Sequence, residues 1–168
     1  MQTFSSMQRN SSDIYFLKNI VFFITILFYQ ILSSIYVNLP PLIGLSFAYV
    51  VILAYEKDKS YQDYTHGWYQ AILYLFIAEQ MHGFELFSVA IAFVIFYYLF
   101  FEISLENIRL RNVFLVFLVT AGYVGTFFIS NFISYLKDGH YMSFGVEYLT
   151  YIVVESALAI LFLKGRIL

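Results

Sequence analysis

The chain has 168 residues, of which 61% are hydrophobic, 22% aromatic and only 12% charged, with a formal net charge of −2. Soluble domains carry about 25% charged residues, so too little polar surface is available here to coat a globule in water. The absence of cysteine excludes disulfides, thiolate metal sites and cysteine nucleophiles.

A bilayer solves the surface problem, because apolar side chains then face lipid on the outside of a helical bundle. An all-α, polytopic membrane fold is therefore expected. Residues 1–19 are polar and read as a cytoplasmic N-terminal segment. The apolar run that follows ends in Val37-Asn38-Leu39-Pro40-Pro41 rather than in small residues of a cleavage site, so it reads as a retained span. Three apolar blocks run from about Ile20 to Tyr55, Gly67 to Phe101 and Asn112 to Leu163. As single helices the first two would each exceed ~50 Å, against a hydrocarbon core of ~30 Å. Each block must therefore turn back.

The turns are marked by helix breakers. Pro40 and Pro41 divide the first block, Glu79-Gln80-Met81-His82-Gly83 the second, and Lys137-Asp138-Gly139-His140 the third. The predicted spans are 20–37, 40–55, 67–80, 84–101, 113–136 and 146–163, within one domain, 20–163, followed by a short cytoplasmic tail, 164–168. The second and third spans are short enough that one of them is a candidate for a re-entrant segment. Arg9, Lys18, Lys57, Lys59, Arg109, Arg111, Lys164 and Arg166 all fall on one side of this six-span arrangement, and only Lys137 falls on the other. The positive-inside rule then places both termini in the cytoplasm, and five spans would break the pattern. Trp68 and tyrosines such as Tyr55, Tyr61, Tyr64, Tyr69, Tyr97, Tyr98, Tyr135 and Tyr141 gather near span ends, as interfacial aromatics do. Aromatics are so common in this chain that simple filling explains them nearly as well.

Glu155 is the sharpest single feature, an acid midway along the sixth span. Such a group costs ~3 kcal/mol on insertion scales, so it should face the bundle and have a partner. A proton or cation site, or a polar anchor for a partner helix, is one reading; a protonated carboxyl hydrogen-bonded to a neighbouring helix is the stronger one. Gly122, Thr126, Ser130 and Ser134 recur every four residues along the fifth span, the small-residue pattern that lets helices approach closely. Packing inside the bundle is favoured over docking of another protein's helix. Asn131 lies beside that stripe, within expected reach of Gln30 or Glu155. Glu79, His82 and Glu85 would share a face if they lay on one helix, but a single Glu-x-x-His pair is a poor metal site. A polar hairpin tip around Gly83 is the better reading, and no metal or cofactor is expected. The mixed-charge loops at 56–59 and 107–111 could touch anionic lipid or a cytoplasmic partner, although topology already explains their basic residues, and nothing suggests a nucleic-acid surface.

Pro40-Pro41 opening the second span, Gln70-Ala71-Ile72-Leu73-Tyr74-Leu75 followed by Gly83-Phe84, and Val153-Val154-Glu155-Ser156-Ala157 followed by Lys164 and Arg166 resemble the MreD family. This is the small membrane subunit of the bacterial rod-shape machinery. The likeness extends over nearly the whole chain, through loose motifs. Three positions depart from the family pattern. Leu42 follows Pro41 in place of Asp or Asn, Tyr74 stands at the third-span acid unless Glu79 replaces it, and Glu155 replaces an asparagine. The resemblance implies a non-enzymatic scaffold in the bacterial inner membrane that binds the bitopic protein MreC and couples MreB filaments to cell-wall elongation proteins. It also implies a fold similar to the substrate-binding subunits of energy-coupling transporters. The alternative is a small solute transporter, or such a subunit, with Glu155 in a polar site. Those subunits often carry Ala-x-x-x-Ala on the first span, and residues 20–36 contain no alanine. An intramembrane enzyme would need several polar groups converging at one depth, and only scattered ones are present.

Overall fold

Neither Pro40 nor Pro41 can supply a helix amide, and the chain is broken on both sides of them. Helix α1 (Ile20–Ile35) stops before the pair and α2 (Ile43–Ser60) starts just after it. α3 (His66–Met81) ends at a turn in which Gly83 has φ +76°, a conformation that favours glycine. α4 (Ser88–Asn107), α5 (Arg111–Leu136) and α6 (Val146–Leu163) complete the chain. The computed structural model describes residues 20–60, 66–139, 141–163 and 165–166, and among these there is no strand. The N-terminal segment with Arg9 and Lys18, and also Tyr61, Tyr64, His140 and Lys164, lie outside the described residues.

The helix bounds follow the predicted turns closely. The main differences are that α2 runs on to Ser60 rather than 55 and that α4 spans Ser88–Asn107 rather than 84–101, its start delayed because Phe84 to Phe87 are used in the turn. α4, α5 and α6 are each long and apolar enough to cross a membrane, and α1 is a shorter apolar helix. α2 carries Glu56-Lys57-Asp58-Lys59 at its end, and α3 has only 16 residues. Outward-facing apolar side chains are abundant, including Phe28, Leu99, Phe128 and Leu161. Such a surface is unfavourable in water and suits a membrane protein.

α5 is the central element, packing against α2, α4 and α6. Its approach to α2 is made by glycines on both helices. A Cβ added at Gly44 of α2 would lie 2.8 Å from the Val119 carbonyl oxygen, and one at Gly122 of α5 would lie 2.9 Å from Phe47 Cβ. The small-residue stripe is thus used within the bundle: Gly122 meets α2, while Thr126, Ser130 and Ser134 are all buried. In α4, residues 96–100 form one π-helical stretch. Widening the turn there brings residues five apart onto one face, so that Phe96 packs on Phe47 and Phe101 packs on Tyr55 and Phe114.

Gly44→Ala should cost about 1–3 kcal/mol by overpacking against backbone, read as a lower unfolding midpoint in detergent. Gly125→Ala, whose added carbon meets only Ala92 Cβ at 3.3 Å, should lose less. Equal stability of Gly44→Ala and the parent protein would contradict the α2–α5 approach.

Candidate functional site

Residues 36–42 leave helical geometry and re-enter the bundle, so their backbone polar groups need partners other than an i→i−4 ladder. The two prolines remove two donors outright. Three of the carbonyls are met by side chains from three helices. Tyr29 Oη on α1 donates to the Pro40 carbonyl at 2.6 Å. The Pro41 carbonyl accepts from Gln30 Nε2 at 3.1 Å and from Tyr74 Oη of α3 at 2.8 Å. Tyr151 Oη of α6 donates to the Val37 carbonyl.

Glu155 completes this arrangement. Its carboxylate, with no exposed surface, accepts the Leu45 amide at 2.9 Å and the Tyr123 hydroxyl of α5. The amides of Leu42 and Gly44 lie near it as well. It therefore caps the N-terminus of α2 from another helix. A helix start presents unpaired N–H groups and the positive end of the macrodipole, which together favour a carboxylate. Every one of these partners donates, so Glu155 serves purely as an acceptor. Leu42, at φ +57°, is the residue that turns the chain into α2. The expected pairing of Glu155 is found, with a backbone amide as well as with a side chain.

The same solution recurs at the second turn. Glu79 of α3, 1% exposed, accepts the Phe87 amide at 3.2 Å, the Val89 amide at 3.0 Å and the Ser88 hydroxyl at 2.5 Å. It caps α4, and Phe87 before that helix again has positive φ, at +68°. Glu79 is thus a buried cap rather than part of a polar hairpin tip, which begins at His82. The three residues Glu79, His82 and Glu85 do not share a helix face, because α3 ends at Met81. His82 Nε2 lies 3.2 Å from Gln30 Oε1 and 3.1 Å from Ser33 Oγ on α1. Glu85 accepts from Lys137 at 2.7 Å and from Ser134 Oγ at 3.1 Å, while its own amide donates to Ser130 Oγ at 2.9 Å. Asn131 reaches neither Gln30 nor Glu155. It lies two turns beyond Tyr123 on α5, and its amide group binds the Met142 backbone instead, accepting at 2.8 Å and donating at 3.2 Å.

Tyr123, Tyr29, Tyr151 and Ser88 belong to this network without having stood out in the sequence, and Tyr74 had stood out only as a departure from the family pattern. Only Ser88, a cap-type residue directly before an apolar run, carried a readable local signal. Two cavities flank the network, one bounded by α2, α3 and α4, the other between α4 and α5; neither is lined by Glu155. Comparison with known proteins finds no matching family model, no similar curated protein and no similar solved structure.

Replacing Glu155 by Leu leaves the Leu45 amide and the Tyr123 hydroxyl without an acceptor, at about 1–3 kcal/mol for each. Glu155→Gln keeps one acceptor oxygen and should lose distinctly less, as measured by unfolding in detergent. Indistinguishable losses in the two variants would contradict the capping role. A second expectation concerns pH. Burial holds the His82 imidazole below its ordinary value, so the unfolded chain binds the proton more readily. The stability tied to neutral His82 is complete above pH ~6.5 and declines as pH falls below it. His82→Gln should flatten that decline between about pH 6.5 and 5. An unchanged pH dependence in this variant would show that His82 has no part in it.

Proposed function

We propose that this protein is a non-enzymatic scaffold of the bacterial cell-shape machinery, similar to MreD. It crosses the inner membrane six times with both termini in the cytoplasm and binds a bitopic partner such as MreC. The observation that carries this reading is how the buried polar groups are used. Glu155, Glu79, Gln30 and Tyr123 are each committed to holding backbone or neighbouring side chains. A catalytic or transport site needs polar groups that converge on open space; among the described residues that line the two cavities the polar side chains are few, and Glu79 and Thr120 are each held by hydrogen bonds within the protein.

The outside of the bundle supports the same reading. A groove of about 460 Å³ between α4 and α5 has a floor that includes Ala92, Ala121 and Gly125, with Phe96, Phe117 and Phe128 beside it. Small residues flanked by large ones suit close packing of a further transmembrane helix. For the orientation, Lys57, Lys59, Arg109, Arg111 and Arg166 lie at one set of helix ends in an up-down bundle and Lys137 at the other. Solute transport with Glu155 in a polar chamber is the weaker reading, because Glu155 is enclosed and saturated with donors.

Depletion in a rod-shaped host should round the cells. A photo-crosslinking residue at Val124, in the α4–α5 groove, should capture a single-span membrane protein. Normal shape after complete depletion, with no such partner captured, would overturn the scaffold reading.

A further inference from the structure

α1 is held by a single narrow stripe. Only Gln30 and Ser33 of this helix are buried, both in its last two turns, and the half-buried Phe23, Ile26 and Tyr29 continue that stripe toward its start. The side directly opposite carries Val21, Ile24, Phe28, Ile31 and Ile35, which are 48–65% exposed, against 40–45% for Ile20, Phe22 and Leu27. Their spacing alternates between three and four residues, the a/d register of a left-handed coiled coil, with Val21, Phe28 and Ile35 at a and Ile24 and Ile31 at d. The seam runs about 21 Å along the helix, most of a hydrocarbon core of ~30 Å.

Lipid asks only that such a face be apolar. Here the seam is also stiff: four of its five residues are β-branched and have one preferred rotamer in a helix, so they lose little freedom when packed. Association of helices in a bilayer rests on van der Waals packing of this kind. Copies of one chain share one orientation in the membrane. A two-fold axis between two of them therefore runs along the membrane normal, and α1 meets α1 in parallel with each seam residue near its own counterpart. Residues 20–36 carry no charged side chain, so like meets like without repulsion. Pairing the seam and its flanks would cover roughly 1,200 Å² in total, the lower bound of specific interfaces.

We propose that two copies of this chain pair through α1, in parallel, with Phe28 against its counterpart at the centre of the seam. This interface goes beyond the scaffold reading, uses a face other than the α4–α5 groove, and requires only that the bundle lie in a membrane.

The chain has no cysteine, so single cysteines can be placed without background. The full chain is reconstituted at high dilution in phosphatidylcholine vesicles and oxidised. Ile24→Cys, Phe28→Cys and Ile31→Cys should each form a disulfide-linked dimer. Thr25→Cys and Leu27→Cys, exposed on the same helix but about a quarter turn from the seam, should form much less. Adding Phe28→Ala to Ile24→Cys should lower its yield about fivefold. Counting the bleaching steps of fluorescently labelled parent protein in the same vesicles should find two copies per particle. Equal yields on and off the seam, no dimer at any seam position, a yield indifferent to Phe28→Ala, or any copy number other than two overturns the proposal. None of these outcomes bears on the partner sought at Val124, so the pairing and the scaffold reading fail separately.

Discussion

The carboxylate of Glu155 against the first amides of α2 is the contact on which the rest of the bundle depends. It joins α6 to α2, the helix that touches α3, α4, α5 and α6, and through the Tyr123 hydroxyl it brings in α5. It lies midway along both α5 and α6, about 13 Å from the start of the latter. In a membrane that is hydrocarbon depth, where an unpaired amide costs several kcal/mol and no water replaces the missing partner. The helix start supplies the compensating positive potential, so the acid and the broken helix each remove the other's penalty.

The neighbouring contacts extend the same logic. A non-helical segment at this depth is tolerated only when protein satisfies its backbone. Prolines at 40 and 41 reduce the number of donors, and Tyr29, Gln30, Tyr74 and Tyr151 supply the carbonyls with hydrogen. At the other turn Glu79 does for α4 what Glu155 does for α2, and each capped helix is preceded by a residue with positive φ. The cap also binds the ends of α3 and α4 together while their lengths stay apart, which leaves the cavity between them. A bundle whose polar groups are spent in this way keeps an apolar exterior.

Much of this was legible in the sequence because lipid makes polar residues conspicuous. Pro40-Pro41 and Lys137-Asp138-Gly139 had to be breaks, and an acid at 155 had to be buried and paired. The small-residue stripe likewise announced a close helix contact, and Gly122 makes one. What the sequence hid was the choice of partner. Backbone amides leave no mark in a sequence, so a carboxylate capping a distant helix looks the same as one paired with a side chain. Tyr123 was concealed among sixteen tyrosines, and Gly44 lay on a helix where no stripe drew notice to it. Glu79 misled for a related reason: its neighbours Gln80 and His82 are polar, and only the end of α3 at Met81 separates the buried acid from the exposed tip.

Hydrogen exchange at the amides of residues 42–45, in the reconstituted protein, tests the central contact most directly. If the Glu155 carboxylate holds the start of α2, these amides exchange as slowly as those in the middle of α5, and Glu155→Leu accelerates them while mid-α5 stays protected. Rapid exchange at residues 42–45 in the parent protein, or protection that survives Glu155→Leu unchanged, would contradict the account.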